Sequence, residues 1–251
     1  MADSFPEEDG ARHEPIFKVP GIIVALLTVM IAVQAVIAWG NPRTAVWIIE
    51  TFGFTPSAYA QGAPATIGGW AKLLWPFVTH ALVHGNWLHL GVNSVWLLAV
   101  ATPLARRLGT PAFLVFYFVS GVGAVGLHWA LNAGSPATVV GASGAISGCM
   151  AGAVRILLGG SARYFARKHP GFGSLAPLWD RRLIIVSGVF VIVNVATGFG
   201  LTPMLGTEGA QIAWGAHVGG YIAGLFLMPL FDRLAGDGRS AYPTLSVEDR
   251  P

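Results

Sequence analysis

Six apolar runs recur along this chain, and none contains an Asp or a Glu: Gly21–Trp39, Trp87–Leu104, Pro111–Leu131, Gly141–Leu158, Leu183–Phe199 and Ile212–Phe231. Each reads as a helix that crosses a hydrocarbon layer about 30 Å thick. Only 11% of the 251 residues are charged and the mean hydropathy is +0.62, whereas a soluble domain carries about 25% charged residues. The polar side chains are too few to cover a globule of this size. The runs predict an all-α polytopic membrane protein, a six-transmembrane-helix bundle. Its one domain covers 21–231, between polar tails at 1–20 and 232–251. The first tail sets Asp3, Glu7, Glu8, Asp9 and Glu14 against Arg12 and Lys18. It reads as disordered chain rather than a signal peptide.

Six spans place both tails on one side. Lys and Arg concentrate in the tails and in the loops after the second and fourth runs (Arg106, Arg107; Arg163, Arg167, Lys168, Arg181, Arg182). The opposite loops hold only Arg43 and Lys72. The excess of positive charge on the inner side puts both termini in the cytoplasm. It also accounts for the pI near 9.3 better than nucleic-acid binding does. A bacterial inner membrane fits six spans without a transit peptide. The single cysteine, Cys149, excludes a disulfide framework and a multi-cysteine metal site. Residues 41–85 are broken by Gly and Pro but rich in Trp, Phe and Tyr. They predict a compact outward loop of short amphipathic helices, partly sunk in the interface.

This topology brings four polar residues to one depth. His89 and Asn93 lie in the first two turns of the second run, Ser143 in the first turn of the fourth, and His217 in the first two turns of the sixth. All three runs enter from outside. A serine needs a base to become a nucleophile, and His217 is the only histidine of its run. Gly144, Gly148 and Gly152 form one small-residue ridge, and Gly220 and Gly224 another. Such ridges let membrane helices approach closely and would set the distance from Ser143 to His217. Ordinary helix packing, with Ser143 bonded to a backbone carbonyl, produces the same pattern.

His89 and Asn93 share a helix face, and in lipid each must find a partner or line a polar cavity. With the Ser143 N–H they can hold the oxyanion of a tetrahedral intermediate; equally, they can bridge helices. His80 and His84 are four apart and, with His89, raise the question of a metal. The lack of a nearby cysteine, carboxylate or HExxH weighs against one. His84 reads as a buried hydrogen-bonding residue that braces the long loop, and His128 has no sequence partner. The absence of carboxylates inside the runs disfavours an aspartyl protease or a cation-coupled transporter. It leaves a serine–histidine dyad in which water or packing orients His217.

Taken together, these residues resemble the rhomboid intramembrane serine proteases. The matching segments are Thr79-His80-Ala81-Leu82-Val83-His84, His89-Leu90-Gly91-Val92-Asn93, Gly141-Ala142-Ser143-Gly144, and His217-Val218-Gly219-Gly220 with Gly224. The resemblance covers about residues 20–231. It implies the six-span rhomboid fold, Ser143 as nucleophile and His217 as base, and an oxyanion hole of His89, Asn93 and the Ser143 N–H. It implies transmembrane protein substrates that enter from the lipid bilayer between spans two and five, under a cap at 200–210. No metal, cofactor or nucleic acid is implied. Two positions depart from the pattern. Many members carry Trp-Arg where this chain has Trp75-Pro76, which bears on the packing of the loop. Some members stack a tyrosine on the histidine from the position held here by Ser147, which is too small to stack. A rhomboid-like binding protein is the competing class; such relatives usually lack the serine or the histidine, and both are present here.

Overall fold

The computed structural model describes residues 19–59, 67–159, 175–199 and 213–236. The tails at 1–18 and 237–251, the basic residues Arg163, Arg167 and Lys168, and the expected cap at 200–210 lie outside them. Ten α-helices follow one another among the described residues. They are α1 Gly21–Trp39, α2 Pro42–Phe52, α3 Ile67–Leu74, α4 Pro76–Thr79, α5 Trp87–Trp96, α6 Thr102–Leu108, α7 Thr110–Leu131, α8 Ser143–Leu158, α9 Arg181–Gly198 and α10 Trp214–Gly236.

α5 and α6 form one rod, joined through π-helical Leu97–Ala101. Pro103 accounts for the joint: it lacks an N–H, and its ring crowds the carbonyl four residues back, in the middle of the π segment. The rod runs four residues past the predicted end at Leu104. It stops at Gly109, whose φ of +74° lies in the left-handed region that favours glycine.

Five helical rods are long and apolar enough to cross a membrane: α1, α5–α6, α7, α9 and α10. The predicted fourth span, α8, has 16 residues and is about 24 Å long, shorter than the layer it was expected to cross. It is the central helix, and it packs against α7 and α10. Gly144, Ala145, Gly148, Cys149, Ala151 and Gly152 are all buried. A helix sheltered by neighbours can end inside the hydrocarbon layer, because protein rather than lipid meets its terminal backbone groups.

α10 continues to Gly236, past the predicted end at Phe231, so Asp232 lies within the helix rather than beyond it. Arg107 donates to Asp232 twice, Nε to Oδ1 at 2.7 Å and Nη2 to Oδ2 at 2.9 Å. Its side chain is only 5% exposed. Buried Arg155 donates to the carbonyls of Ala176 (3.0 Å) and Leu225 (2.7 Å), tying α8 to α10 and to the segment that leads into α9. Asp232→Ala removes the carboxylate that faces a desolvated guanidinium. The expected loss is about 3 kcal/mol, seen as a lower thermal midpoint in detergent; a midpoint equal to wild type contradicts it.

The described residues of the loop at 41–85 form α2, α3, α4 and two 3-10 turns, the short helices that its composition predicts. Asn41 caps α2 and Pro42 opens it, the usual chemistry of a helix start. Phe54 stacks on Tyr59 with ring centroids 4.9 Å apart; Phe77 meets both edge-on, and Trp129 of α7 lies 5.1 Å from Tyr59. Phe54 and Val139 exchange backbone hydrogen bonds of 2.9 and 2.8 Å, which fixes the loop to the chain just before Gly141. On the outside of the bundle, α9 exposes Ile184, Ile185, Val189, Ile192 and Val193, a surface suited to lipid.

Candidate active site

The site begins where the chain turns into α8. Gly141 has φ +122°, a conformation that side chains rarely adopt. A Cβ at this position would lie 2.7 Å from Cε1 and Nε2 of His89 and 3.7 Å from Nδ2 of Asn93. Glycine thus lets the backbone before Ser143 lie directly against those two side chains. The Gly141 N–H donates to the His80 carbonyl at 2.9 Å, and the Ala142 N–H donates to Nε2 of His84 at 3.4 Å. Burial pushes the His84 imidazole down to about 3, and neighbouring His89 adds to the effect. His84 is therefore neutral and able to accept.

His89 and Asn93 enter on α5. The side chain of Asn86 starts this helix by accepting from the His89 N–H at 2.8 Å, as an N-cap does. Asn93 is 4% exposed, and its Nδ2 donates to the His89 carbonyl at 3.1 Å. The His84 and His89 rings meet edge to face, with centroids 5.1 Å apart.

His217 enters on α10, and its Nε2 lies 2.8 Å from Oγ of Ser143. The glycines explain how the two backbones come this close. A Cβ on Gly220 would overlap the Gly144 carbonyl, and one on Gly224 would overlap the Gly148 carbonyl and Cα. Gly148 in turn faces the Gly220 carbonyl, where a Cβ would sit at 2.9 Å. Ser143 thus meets His217, and His89 and Asn93 lie against Gly141 two residues before Ser143, so the four converge near the Gly141 turn.

Three features bear on the sequence expectations. His80 and His84 do not share a helix face: the 3-10 turn ends at Leu82 and Val83 is extended, with ψ 140°. His80 is buried, and its Nδ1 donates to the Pro76 carbonyl at 2.8 Å. His84, at the end of the long loop, accepts from the Ala142 N–H and so ties that loop to the turn at Gly141 and Ala142. His217, expected to have only water or packing behind its ring, has a second side-chain partner: Oδ1 of Asn194, on α9, lies 2.7 Å from its Nδ1. Asn194 is not among the residues that the sequence analysis singles out, since it belongs to no motif and carries no charge. An asparagine inside an apolar run was itself a signal, since it must find a partner. At the position from which some relatives stack a ring, Ser147 turns its hydroxyl back to the Ser143 carbonyl at 2.7 Å. His128 stays apart, beside Gly215. Among the described residues no three His, Cys, Asp or Glu side chains gather as a metal site would require.

A hydroxyl hydrogen-bonded to an imidazole, beside a turn that faces two side-chain nitrogen donors, has the parts for acyl transfer. Comparison with known proteins points the same way. The model of the rhomboid domain matches residues 71–233. The chain is similar to rhomboid protease GluP of Bacillus subtilis, at 29% identity over 160 residues, which is 63% of this chain and 25% of GluP. It is similar to rhomboid protease GlpG of Serratia proteamaculans, at 32% over 159 residues, covering 63% of this chain and 48% of that protein. GlpG of Pectobacterium atrosepticum gives 31% over 166 residues, with 63% and 49% covered. The chain thus spans half or less of the length of these relatives. The family model covers the turn at Gly141, both glycine ridges and all four converging polar residues, and the long apolar helices make this an integral membrane protein: the chain belongs to the rhomboid family.

Proposed function

We propose that this protein is an intramembrane serine endopeptidase that cleaves transmembrane segments of other membrane proteins with Ser143 and His217. The observation that carries the reading is the 2.8 Å contact between Ser143 Oγ and His217 Nε2. Ser143 Oγ attacks the scissile carbonyl as His217 Nε2 takes the hydroxyl proton, and the carbonyl π electrons move onto oxygen. His89, Asn93 and the Ser143 N–H stabilise that oxyanion. Collapse of the intermediate breaks the C–N bond, and His217 returns the proton to the leaving amine. Water then hydrolyses the acyl-enzyme by the same route. The helix that carries Ser143 is too short to span the layer alone, which supports a site below the membrane surface. Both termini face the cytoplasm on the charge distribution, and a bacterial inner membrane fits this reading.

The test is cleavage of a single-span substrate by the protein in liposomes. The expected result is a cut inside or at the edge of the substrate span. Asn93→Ala is expected to lower kcat by about 10²–10³-fold, the usual effect of losing one oxyanion donor. Wild-type protein that neither cuts nor is labelled at Ser143 by a fluorophosphonate would overturn the proposal.

A further inference from the structure

α9 is the long helix least held by its neighbours: Leu183 is its one buried residue. Among the described residues, three of its side chains meet His217 or Tyr221 of α10. Ser187 Oγ lies 3.0 Å from the Tyr221 hydroxyl. The Phe190 ring stacks on the Tyr221 ring, with centroids 4.3 Å apart and planes 21° apart. Asn194 Oδ1 lies 2.7 Å from His217 Nδ1. Positions 187, 190 and 194 share one face of α9, and 217 and 221 share one face of α10. The row that fastens the helix therefore ends on the imidazole beside Ser143.

The Asn194 amide has only one consistent orientation. Its nitrogen end lies 2.8 Å from the Phe190 carbonyl. A carbonyl only accepts, so the NH₂ faces Phe190 and the amide oxygen faces the ring. That oxygen also only accepts, so His217 Nδ1 must carry a hydrogen. In a neutral imidazole Nε2 then holds the lone pair, and Nε2 is the nitrogen beside Ser143 Oγ. The other tautomer sets two acceptors against each other at Asn194. It also points an N–H at a hydroxyl whose proton it could not take.

We propose that Asn194 is a positioning residue, which selects the tautomer and ring orientation of His217 and so completes a Ser143–His217–Asn194 relay. The inference rests on Ser143 and His217 being nucleophile and base. One observation and one physical argument favour it beyond the bond itself. No ring from α8 performs this task, since Ser147 is bonded back to Ser143. A neutral amide also orients the imidazole without placing a second charge in a low-dielectric site. As a dipole it stabilises the imidazolium less than a carboxylate does, so its loss is milder than the roughly 10⁴-fold effect of replacing a triad aspartate by asparagine.

In liposomes, Asn194→Ala is expected to lower kcat about tenfold to hundredfold with little change in KM, part of the roughly 10²–10⁴-fold that a positioned base supplies. Asn194→Asp is expected to restore most of that rate. It keeps an oxygen facing Nδ1, and its acid form keeps a donor to Phe190. The tautomer is read by ¹⁵N NMR of histidine-labelled protein in detergent, with the His217 signals identified by their loss in His217→Ala. Wild type and Asn194→Asp should show a protonated Nδ1, and Asn194→Ala a mixture. If the alanine protein does not fold, Asn194→Leu, close in volume, carries the test. Folded Asn194→Ala with wild-type kcat and tautomer overturns the role of Asn194. So does a loss of rate that Asp does not restore and that leaves the tautomer unchanged, since that is packing alone. Wild-type protein without cleavage or fluorophosphonate labelling sinks the Ser143–His217 reading first, and the relay with it.

Discussion

Ser143→Ala, His217→Ala and the double variant are all expected to fall to the same residual rate of substrate cleavage, about 10⁶-fold below wild type. The shared floor follows from the geometry. Ser143 Oγ and His217 Nε2 are joined by a single 2.8 Å hydrogen bond, and each is useless for attack without the other. Alanine at 143 removes the attacking oxygen, and alanine at 217 leaves a hydroxyl with no acceptor for its proton. Once one is gone, removing the second takes away nothing further. Residual rate comes from the side chains that neither variant touches, His89 and Asn93 beside Gly141. Such surroundings alone retain about 10³–10⁴-fold over water. The measurement is single-turnover cleavage in liposomes, so that slow product release does not mask chemistry. Losses that add on a logarithmic scale in the double variant would show independent roles. Full activity in Ser143→Ala would place the nucleophile elsewhere.

How far this arrangement is legible in the sequence depends on the kind of residue concerned. Ser143, His217, His89 and Asn93 are readable because lipid forbids unpaired polar groups, and because the alternation of inward and outward spans puts all four near one face. Gly144, Gly148, Gly220 and Gly224 are readable because their four-residue spacing marks a helix face. Asn194 is a different case. It lies on α9, most of whose residues are at least partly exposed, and nothing local names its partner; only the approach of α10 supplies His217. Its spacing of seven from Ser187 marks one polar stripe on that helix. The break between His80 and His84 is illegible for another reason. The His80 carbonyl accepts both from Val83 within the turn and from Gly141, the second a bond between residues 61 positions apart in sequence. The shortness of α8 is also tertiary, because neighbouring helices rather than sequence decide where a sheltered helix can end.

The second large effect is expected at Gly220. A methyl group there has no space: a Cβ would overlap the Gly144 carbonyl, which is the rigid backbone of α8 and not the tip of a flexible side chain. Gly220→Ala therefore forces α8 and α10 apart. Overpacking of this kind typically costs about 1–3 kcal/mol. The greater consequence is catalytic, because Gly144 directly follows Ser143 and Gly220 lies three residues after His217. Separating the helices at this point lengthens the 2.8 Å contact between the two side chains. A misplacement of about 1 Å can lower a rate about 10²-fold, so kcat should fall by that factor or more while the protein remains folded. Gly126 on α7 is the control: a Cβ there meets nothing within 4 Å. Gly126→Ala should leave kcat within about twofold of wild type and gain about 0.5–1 kcal/mol of helix stability. Wild-type kcat in folded Gly220→Ala would show that the α8–α10 spacing does not set the distance between serine and histidine. Loss of activity in both variants would point to a general sensitivity of the bundle to added volume, not to this contact.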